Sequence, residues 1–273
     1  VHGWGNNSAG QLGDGTSGGI STIEIVTTTT WPLDAITAID AGNSHSIALK
    51  ADGTVWTWGS DTNGELGDDL TQTNKSTPVQ VSGLTGVVAI AAGSYHNLAL
   101  KSNGQVWSWG QDSSYGQLGD DATAANKFMP VQTGMSLCSA IAAGGYHSLA
   151  VYYNGTLYSW GGNFYGQLGD GTTIAKFTPV SLSSASISNV MEIDAGYAHS
   201  IARKADGSIA TWGYNLLGAL GNSGTVNSST PVTPSLINTV SIAAGYYHTA
   251  ATTADGNMYA WGNDGNGQLG DDV

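Results

Sequence analysis

The sequence predicts an all-β fold of the β-propeller type, and three periodic motifs carry that expectation. The dipeptide Trp-Gly falls at Trp4, Trp58, Trp109, Trp160, Trp212 and Trp261, at intervals of 54, 51, 51, 52 and 49 residues. The motif Ala-Gly-x-x-His ends at His45, His96, His147, His199 and His248. The motif Gly-x-Leu-Gly begins at Gly10, Gly64, Gly116, Gly166, Gly218 and Gly267. All three keep one phase along the chain, and no amphipathic helix of convincing length interrupts them. A unit of roughly 50 residues with four short strands is the signature of a propeller blade.

Residues 88–119 illustrate the elements in order. Val88-Ala89-Ile90-Ala91-Ala92-Gly93 is small and apolar, which suits a strand beside a crowded axis. Ser94-Tyr95-His96 follows, then the alternating strand Asn97–Lys101. Asn103-Gly104 separates it from the strand 105–110, and the same turn recurs at Asp52-Gly53, Asn154-Gly155, Asp206-Gly207 and Asp255-Gly256. Two strands flanking Asn-Gly or Asp-Gly predict a hairpin with a type I′ turn, in which both central residues take φ > 0. Trp107 and Trp109 lie two apart and share a strand face, as do Trp56 and Trp58. The Trp before Gly is expected to pack between neighbouring units, since one small sheet cannot bury a face alone. The Leu of the following Gly-x-Leu-Gly loop is expected to tuck under that Trp. Pro-Val steps at 78–79, 130–131, 179–180 and 231–232 predict edge strands, where Pro is tolerated.

The units run over 1–54, 55–105, 106–156, 157–208 and 209–257, and 258–273 opens a sixth. All belong to one tandem-repeat domain, residues 1–273. Residues 258–271 repeat the role of 1–14, so five units do not close a simple ring. Three outcomes follow: a piece of a longer propeller, an open arc, or a spare half-blade that docks on another copy. The chain also starts on Val1, inside a strand pattern, as a processed product or fragment would.

Composition narrows the function. There are 20 Asp plus Glu against 7 Lys plus Arg, a formal charge of -13. Binding nucleic acid needs clustered Lys and Arg to neutralise phosphates, so a nucleic-acid partner is not expected. A polybasic membrane contact is equally disfavoured, and no apolar run nears the roughly 20 residues of a membrane span. The single Cys138 precludes an intrachain disulfide and reads as a small buried residue. The Thr-rich, Lys-poor composition points to an exported bacterial protein, extracellular or at the cell surface.

The motif set Ala-Gly-x-x-His-Ser-x-Ala-Leu, Asp-Gly-x-Val-x-x-Trp-Gly, Gly-Gln-Leu-Gly and Pro-Val resembles the repeat of the regulator of chromosome condensation family. The resemblance spans essentially the whole chain. It implies the propeller fold strongly and function weakly, because such folds host different roles. Members include a guanine-nucleotide exchange factor, a bacterial β-lactamase inhibitor and exported proteins, and most close seven blades. Exchange activity in the family implies an inserted β-wedge. Units of 49–54 residues leave no room for one here, so exchange is a remote alternative, with a secreted enzyme inhibitor as another.

No enzyme, cofactor or metal is expected. Ser, His and Asp are too plentiful for their co-occurrence to mean a triad, and no Gly-x-Ser-x-Gly elbow precedes a helix. One His per unit reads as a hydrogen bond to neighbouring backbone rather than a metal ligand, since ligands must converge within about 2 Å of the ion. Acidic loops hold Asp61, Glu65, Asp68 and Asp69; Asp112, Asp120 and Asp121; Asp264, Asp271 and Asp272. None has the calcium-loop spacing, so solvated turns are expected. No unit is expected to carry an odd carboxylate pair. The variable positions before the repeat His hold Tyr95, Tyr146, Tyr197, Tyr246 and Tyr247, and the loops before Gly-x-Leu-Gly hold Tyr115, Phe164 and Tyr165. These eight aromatics are the candidate binding residues. They should emerge on one face near the axis, where tyrosines act as interface anchors. The expected function is a non-enzymatic scaffold that binds a protein partner, or other copies of itself as an extracellular filament subunit.

Overall fold

Short apolar runs punctuated by Gly turns fold into six antiparallel sheets. The computed structural model describes residues 1–27, 33–68, 72–112, 115–120, 125–182 and 187–271. The first sheet pairs β1 (His2–Asn6) with β2 (Ile20–Ile25). The next holds β3 (Ile36–Ala41), β4 (His45–Lys50), β5 (Val55–Gly59) and β6 (Lys75–Gln80). Then come β7 (Val87–Ala92), β8 (His96–Lys101), β9 (Val106–Gly110) and β10 (Lys127–Gln132). A fourth sheet holds β11 (Cys138–Ala143), β12 (His147–Tyr152), β13 (Leu157–Gly161) and β14 (Lys176–Leu182). A fifth holds β15 (Val190–Ala195), β16 (His199–Lys204), β17 (Ile209–Gly213) and β18 (Ser228–Val232). The last has three strands, β19 (Thr239–Ala244), β20 (His248–Thr253) and β21 (Met258–Gly262). Among the described residues there is no α-helix, and no helix long and apolar enough to cross a membrane.

Each four-stranded sheet opens on the small apolar strand and ends on the Pro-Val strand, half a unit out of phase with units counted from Trp-Gly. The first and last sheets share no ladder among the described residues, so the blades form an arc without a closed ring. Apolar surface is open at both ends: Trp4 is 67% exposed, Ile39 63% and Met258 71%.

The hairpin turns differ from the type I′ expectation. Gly53 N–H donates to Lys50 O at 2.9 Å, and Gly53 has φ 79° while Asp52 does not enter the positive region. This is a type I turn with a glycine bulge, the other common hairpin closure. Asp52 stays right-handed because its carboxylate then accepts from both Thr54 N and Thr54 Oγ1, at 3.0 and 2.6 Å.

The tryptophans do pack between blades. Trp160 is fully buried with Leu98, Leu100, Val106 and Met135 of the preceding blade, and Trp212 likewise with Leu149, Val151 and Leu157. The Gly-x-Leu-Gly loop, however, closes on the Trp of the following blade. Gln117 O accepts from Trp160 Nε1 at 2.9 Å, and a Cβ on Gly119 would lie 2.6 Å from that nitrogen. Trp160→Ala should therefore cost about 3–5 kcal/mol in a urea titration, from lost burial plus a cavity. A cost below 1 kcal/mol would place the blade contact elsewhere.

The repeat histidines bond side chains of the next blade, where backbone had been expected. His96 Nε2 lies 2.9 Å from Ser148 Oγ, and Ser148 Oγ donates to Gln117 O at 2.8 Å. The hydroxyl's proton is thus committed, so His96 must be the donor and is neutral with its proton on Nε2. The relay recurs from His45 to Asn97, His147 to Ser200 and His199 to Thr249. The bare Nδ1 atoms of His96, His147 and His199 are buried without a partner.

Candidate functional site

The inner strands surround a central cavity of about 400 Å³, and its mouth is a belt of main-chain hydrogen bonds. Asn43 N donates to Ser94 O at 3.1 Å, Ser94 N to Gly144 O at 3.3 Å, Gly145 N to Gly196 O at 3.3 Å and Tyr197 N to Tyr246 O at 3.1 Å. The belt runs through the residue two before each repeat His and holds these segments at one level. Side chains from successive blades therefore emerge side by side.

All eight candidate aromatics come together there. Tyr146 is the hub: its ring centroid lies 5.8 Å from Tyr95, 5.1 Å from Tyr115 and 5.7 Å from Tyr197. Phe164 joins edge-on to Tyr115 at 5.3 Å. Tyr197 stacks on Tyr246 at 4.3 Å with planes 13° apart, and Tyr247 meets both. Tyr165 is connected through Tyr214, which lies 5.2 Å from Tyr165 and 4.9 Å from Tyr247. Tyr214 was not among the sequence candidates. It follows Trp212-Gly213, at a position that varies between units, and that variation was the available signal. The geometry is that of offset and edge-to-face pairs, which add to burial. Most of these rings are half-buried by one another, while Phe164 and Tyr246 are more than half exposed, at 62% and 53%. Burial raises the phenols of Tyr146, Tyr246 and Tyr247, with the Tyr197 phenol beside them adding to the effect. The platform is therefore uncharged and rich in hydroxyl donors at neutral pH.

Two carboxylates line the cavity below, one from each of two different units, a feature that a search for pairs within a single unit does not find. Asp40 and Asp194 occupy the strand position held by Ala91, Ala142 and Ala243 in the other blades. Asp40 accepts from Ala41 N and, across the blade boundary, from Ala92 N, both at 2.8 Å. Asp194 does the same with Ala195 N and Ala244 N, at 2.8 and 2.7 Å. Enclosure by the surrounding strands raises both carboxyls, Asp194 to about 6. Lining up the five small-residue strands would have exposed this pair.

The acidic loops also depart from expectation, because several of their carboxylates are buried rather than solvated. Asp61 and Asp112 are fully buried and Glu65 nearly so. The reason is local: Asp61 Oδ1 accepts from Leu66 N and Asp112 Oδ1 from Leu118 N, both at 3.0 Å, which draws the carboxylates beneath their loops. Asp69, Asp121 and Asp272 lie outside the described residues. Cys138 is buried as expected, and burial pushes its thiol up to about 11. Among the described residues no three His, Cys, Asp or Glu side chains converge on one point.

The family model of the RCC1-like domain matches residues 1–273. The chain belongs to the RCC1-like domain family. The ultraviolet-B receptor UVR8 of Arabidopsis thaliana is 34% identical over 243 residues, covering 85% of this chain and 53% of that protein. The probable E3 ubiquitin-protein ligase HERC6 of Homo sapiens is 33% identical, over 83% of this chain and 23% of that protein. This RCC1-like chain thus spans about half or less of the length of these curated relatives. Human WBSCR16 superposes with a TM-score of 0.86 at 25% identity, covering 98% of this chain and 73% of that one. Yeast RCC1 (Prp20), solved bound to Kap60, superposes with a TM-score of 0.76 at 25% identity, covering 95% and 63%.

Proposed function

We propose that this RCC1-like chain is a non-enzymatic scaffold that binds a protein partner on its tyrosine face. One observation carries the reading: nine aromatic rings from four successive blades form one unbroken platform at the mouth of the central cavity. Aromatic residues of this kind, rigid and with a hydroxyl tip, are favoured as interface anchors. The neighbour RCC1 (Prp20) was solved bound to the protein Kap60, which agrees with a protein-binding role for the fold. A secreted setting remains part of the proposal and is checked by fractionating the source cells.

The platform predicts a specific failure. A chain with Tyr95→Ala, Tyr146→Ala and Tyr247→Ala keeps its blades, because the blade contacts are made by Trp, His and Leu below. Its partner binding should fall at least tenfold, since each anchor is worth about 1–2 kcal/mol or more. The measurement is affinity capture from the source organism with both chains immobilised, followed by titration of the captured protein. A set of partners retained equally by both chains would move the interface off this face.

A further inference from the structure

The two carboxylates beneath the tyrosine platform carry a charge that the fold does not require. Asp40 and Asp194 each accept one N–H from their own strand and one from the next blade. That staple is not what makes a blade joint. Ala91 and Ala142 hold the same strand position in the two blades between them, and those joints close without a carboxylate. Each carboxylate oxygen uses one acceptor site on a backbone amide and keeps another.

No cation of this chain answers the two charges. Among the described residues the cavity is lined by Asp40, Asp194 and otherwise only Ala, Gly, Asn, Ser and Tyr. All seven Lys and Arg side chains are engaged elsewhere. Six pair with Asp or Glu outside the cavity, and Lys101 lies 5.5 Å from the centre of the Trp107 ring. Burial raises both cavity carboxyls, and the charge of Asp40 adds to the rise at Asp194. Both stay within reach of a guest, since Asp40 is exposed and Asp194 half-buried.

The mouth above suits the same kind of guest. Tyr197 and Tyr246 line the cavity and also belong to the platform, where their rings stack on each other. An aromatic face attracts a cation within about 6 Å of its centroid, more strongly where water is displaced. The way in is therefore aromatic at the rim and anionic at the base.

We propose that the protein partner of this face inserts a Lys or Arg side chain through the tyrosine mouth and sets its charge against Asp40 and Asp194. The proposal rests on the reading of the face as a protein-binding surface and adds the chemistry of the partner. The net charge of -13 steers a basic segment toward the chain. A desolvated ion pair repays its cost only in good geometry. The four backbone amides supply that geometry by fixing both carboxylates before the guest arrives.

The probe is the acetylated and amidated peptide Gly-Ser-Lys-Ser-Gly, beside versions with Arg, Glu or norleucine at the centre. Each is titrated into the full chain and followed by nuclear magnetic resonance. The Ala92 and Ala244 amides donate to the two carboxylates and report the site. The Lys and Arg peptides should shift both signals, and the Glu and norleucine peptides should shift neither. Asp40→Asn with Asp194→Asn should weaken the Lys peptide about tenfold or more. Asp40→Ala with Asp194→Ala, the residue the sister strands carry, should do the same with the fold intact. No response to the Lys and Arg peptides overturns the proposal. So does equal affinity in the double variants, or a norleucine peptide that binds as tightly as the Lys peptide. Free putrescine binding more tightly than the Lys peptide would assign the cavity to a small amine, which overturns it too. The reading of the face fails separately. A Tyr95→Ala, Tyr146→Ala and Tyr247→Ala chain that keeps its captured partners removes the face, whereas Asp variants that keep them at full affinity remove only the cavity anchor.

Discussion

Gly144→Ala is expected to destabilise the protein by more than about 4 kcal/mol, placing it among the exceptional single substitutions. Gly144 needs no left-handed backbone, so the effect is steric. A Cβ there would lie 2.2 Å from Cε1 of His147 and 2.5 Å from Gly196 O in the next blade. Neither neighbour can retreat. His147 is held by Ser200, and Gly196 O takes part in the hydrogen-bond belt through Gly145 N. The same geometry recurs at Gly42, Gly93 and Gly196, each with the next blade's glycine carbonyl 2.4–2.5 Å from the built Cβ. Ala-Gly-x-x-His thus records how closely blades approach at the axis. Gly134→Ala is the control: a Cβ there meets nothing within 4 Å, and its cost should stay below about 1 kcal/mol. Urea titrations of the two variants decide the matter. Equal midpoints would remove the axial contact from the stability of the fold.

The repeat was legible in the sequence because each motif is one half of a contact repeated between blades. Trp109 needs the Glu65 carbonyl, and His45 needs Asn97. A change in any unit would break the joint, so all units carry the same signature. The candidate face was legible for the opposite reason. Tyr95, Tyr146, Tyr197 and Tyr247 point away from the joints, so their positions are free to vary against a fixed frame. What stayed hidden depends on partners outside the motif. Asp40 sits in an apolar run, and only the Ala92 amide of the next blade shows why a carboxylate is tolerated. Asp61 reads as a solvated turn residue until the Leu66 amide is seen to hold it beneath its loop. The turn at Asp52-Gly53 was misread because Asp-Gly serves two hairpin closures, and the Thr54 hydroxyl decides between them.

Acid should unfold this protein earlier than its excess of carboxylates suggests, with the loss beginning near pH 6.5. The cause is the histidine relay. His96 and His147 are lowered to about 3 and His199 to about 4, in each case chiefly by burial, against 6.5 for a free imidazole. A base whose folded pKa is depressed stabilises the fold fully above its unfolded pKa. That contribution drains away as pH falls, because the unfolded chain takes up protons that the native chain refuses. At pH 5 each of these three residues has lost about 2 kcal/mol, from 1.5 pH units at 1.36 kcal/mol per unit.

Asp61 and Asp194 work in the opposite direction. Burial raises both to about 6, so the native state gains protons on them before the unfolded state does, and stability rises between about 6 and 3.8. Two carboxyls shifted by about two units do not cancel three imidazoles shifted by about three, so the net slope remains a loss on acidification. The slope itself identifies the source. His147→Gln, whose amide can still donate toward Ser200 Oγ, removes one titrating group whatever it does to absolute stability. Between pH 6 and pH 4.5 its unfolding free energy should depend on pH by one proton less than the wild type. Urea titrations at a series of pH values measure that difference. An unchanged slope would mean that His147 already binds its proton in the folded blade, and the neutral Nε2–H relay would then be wrong.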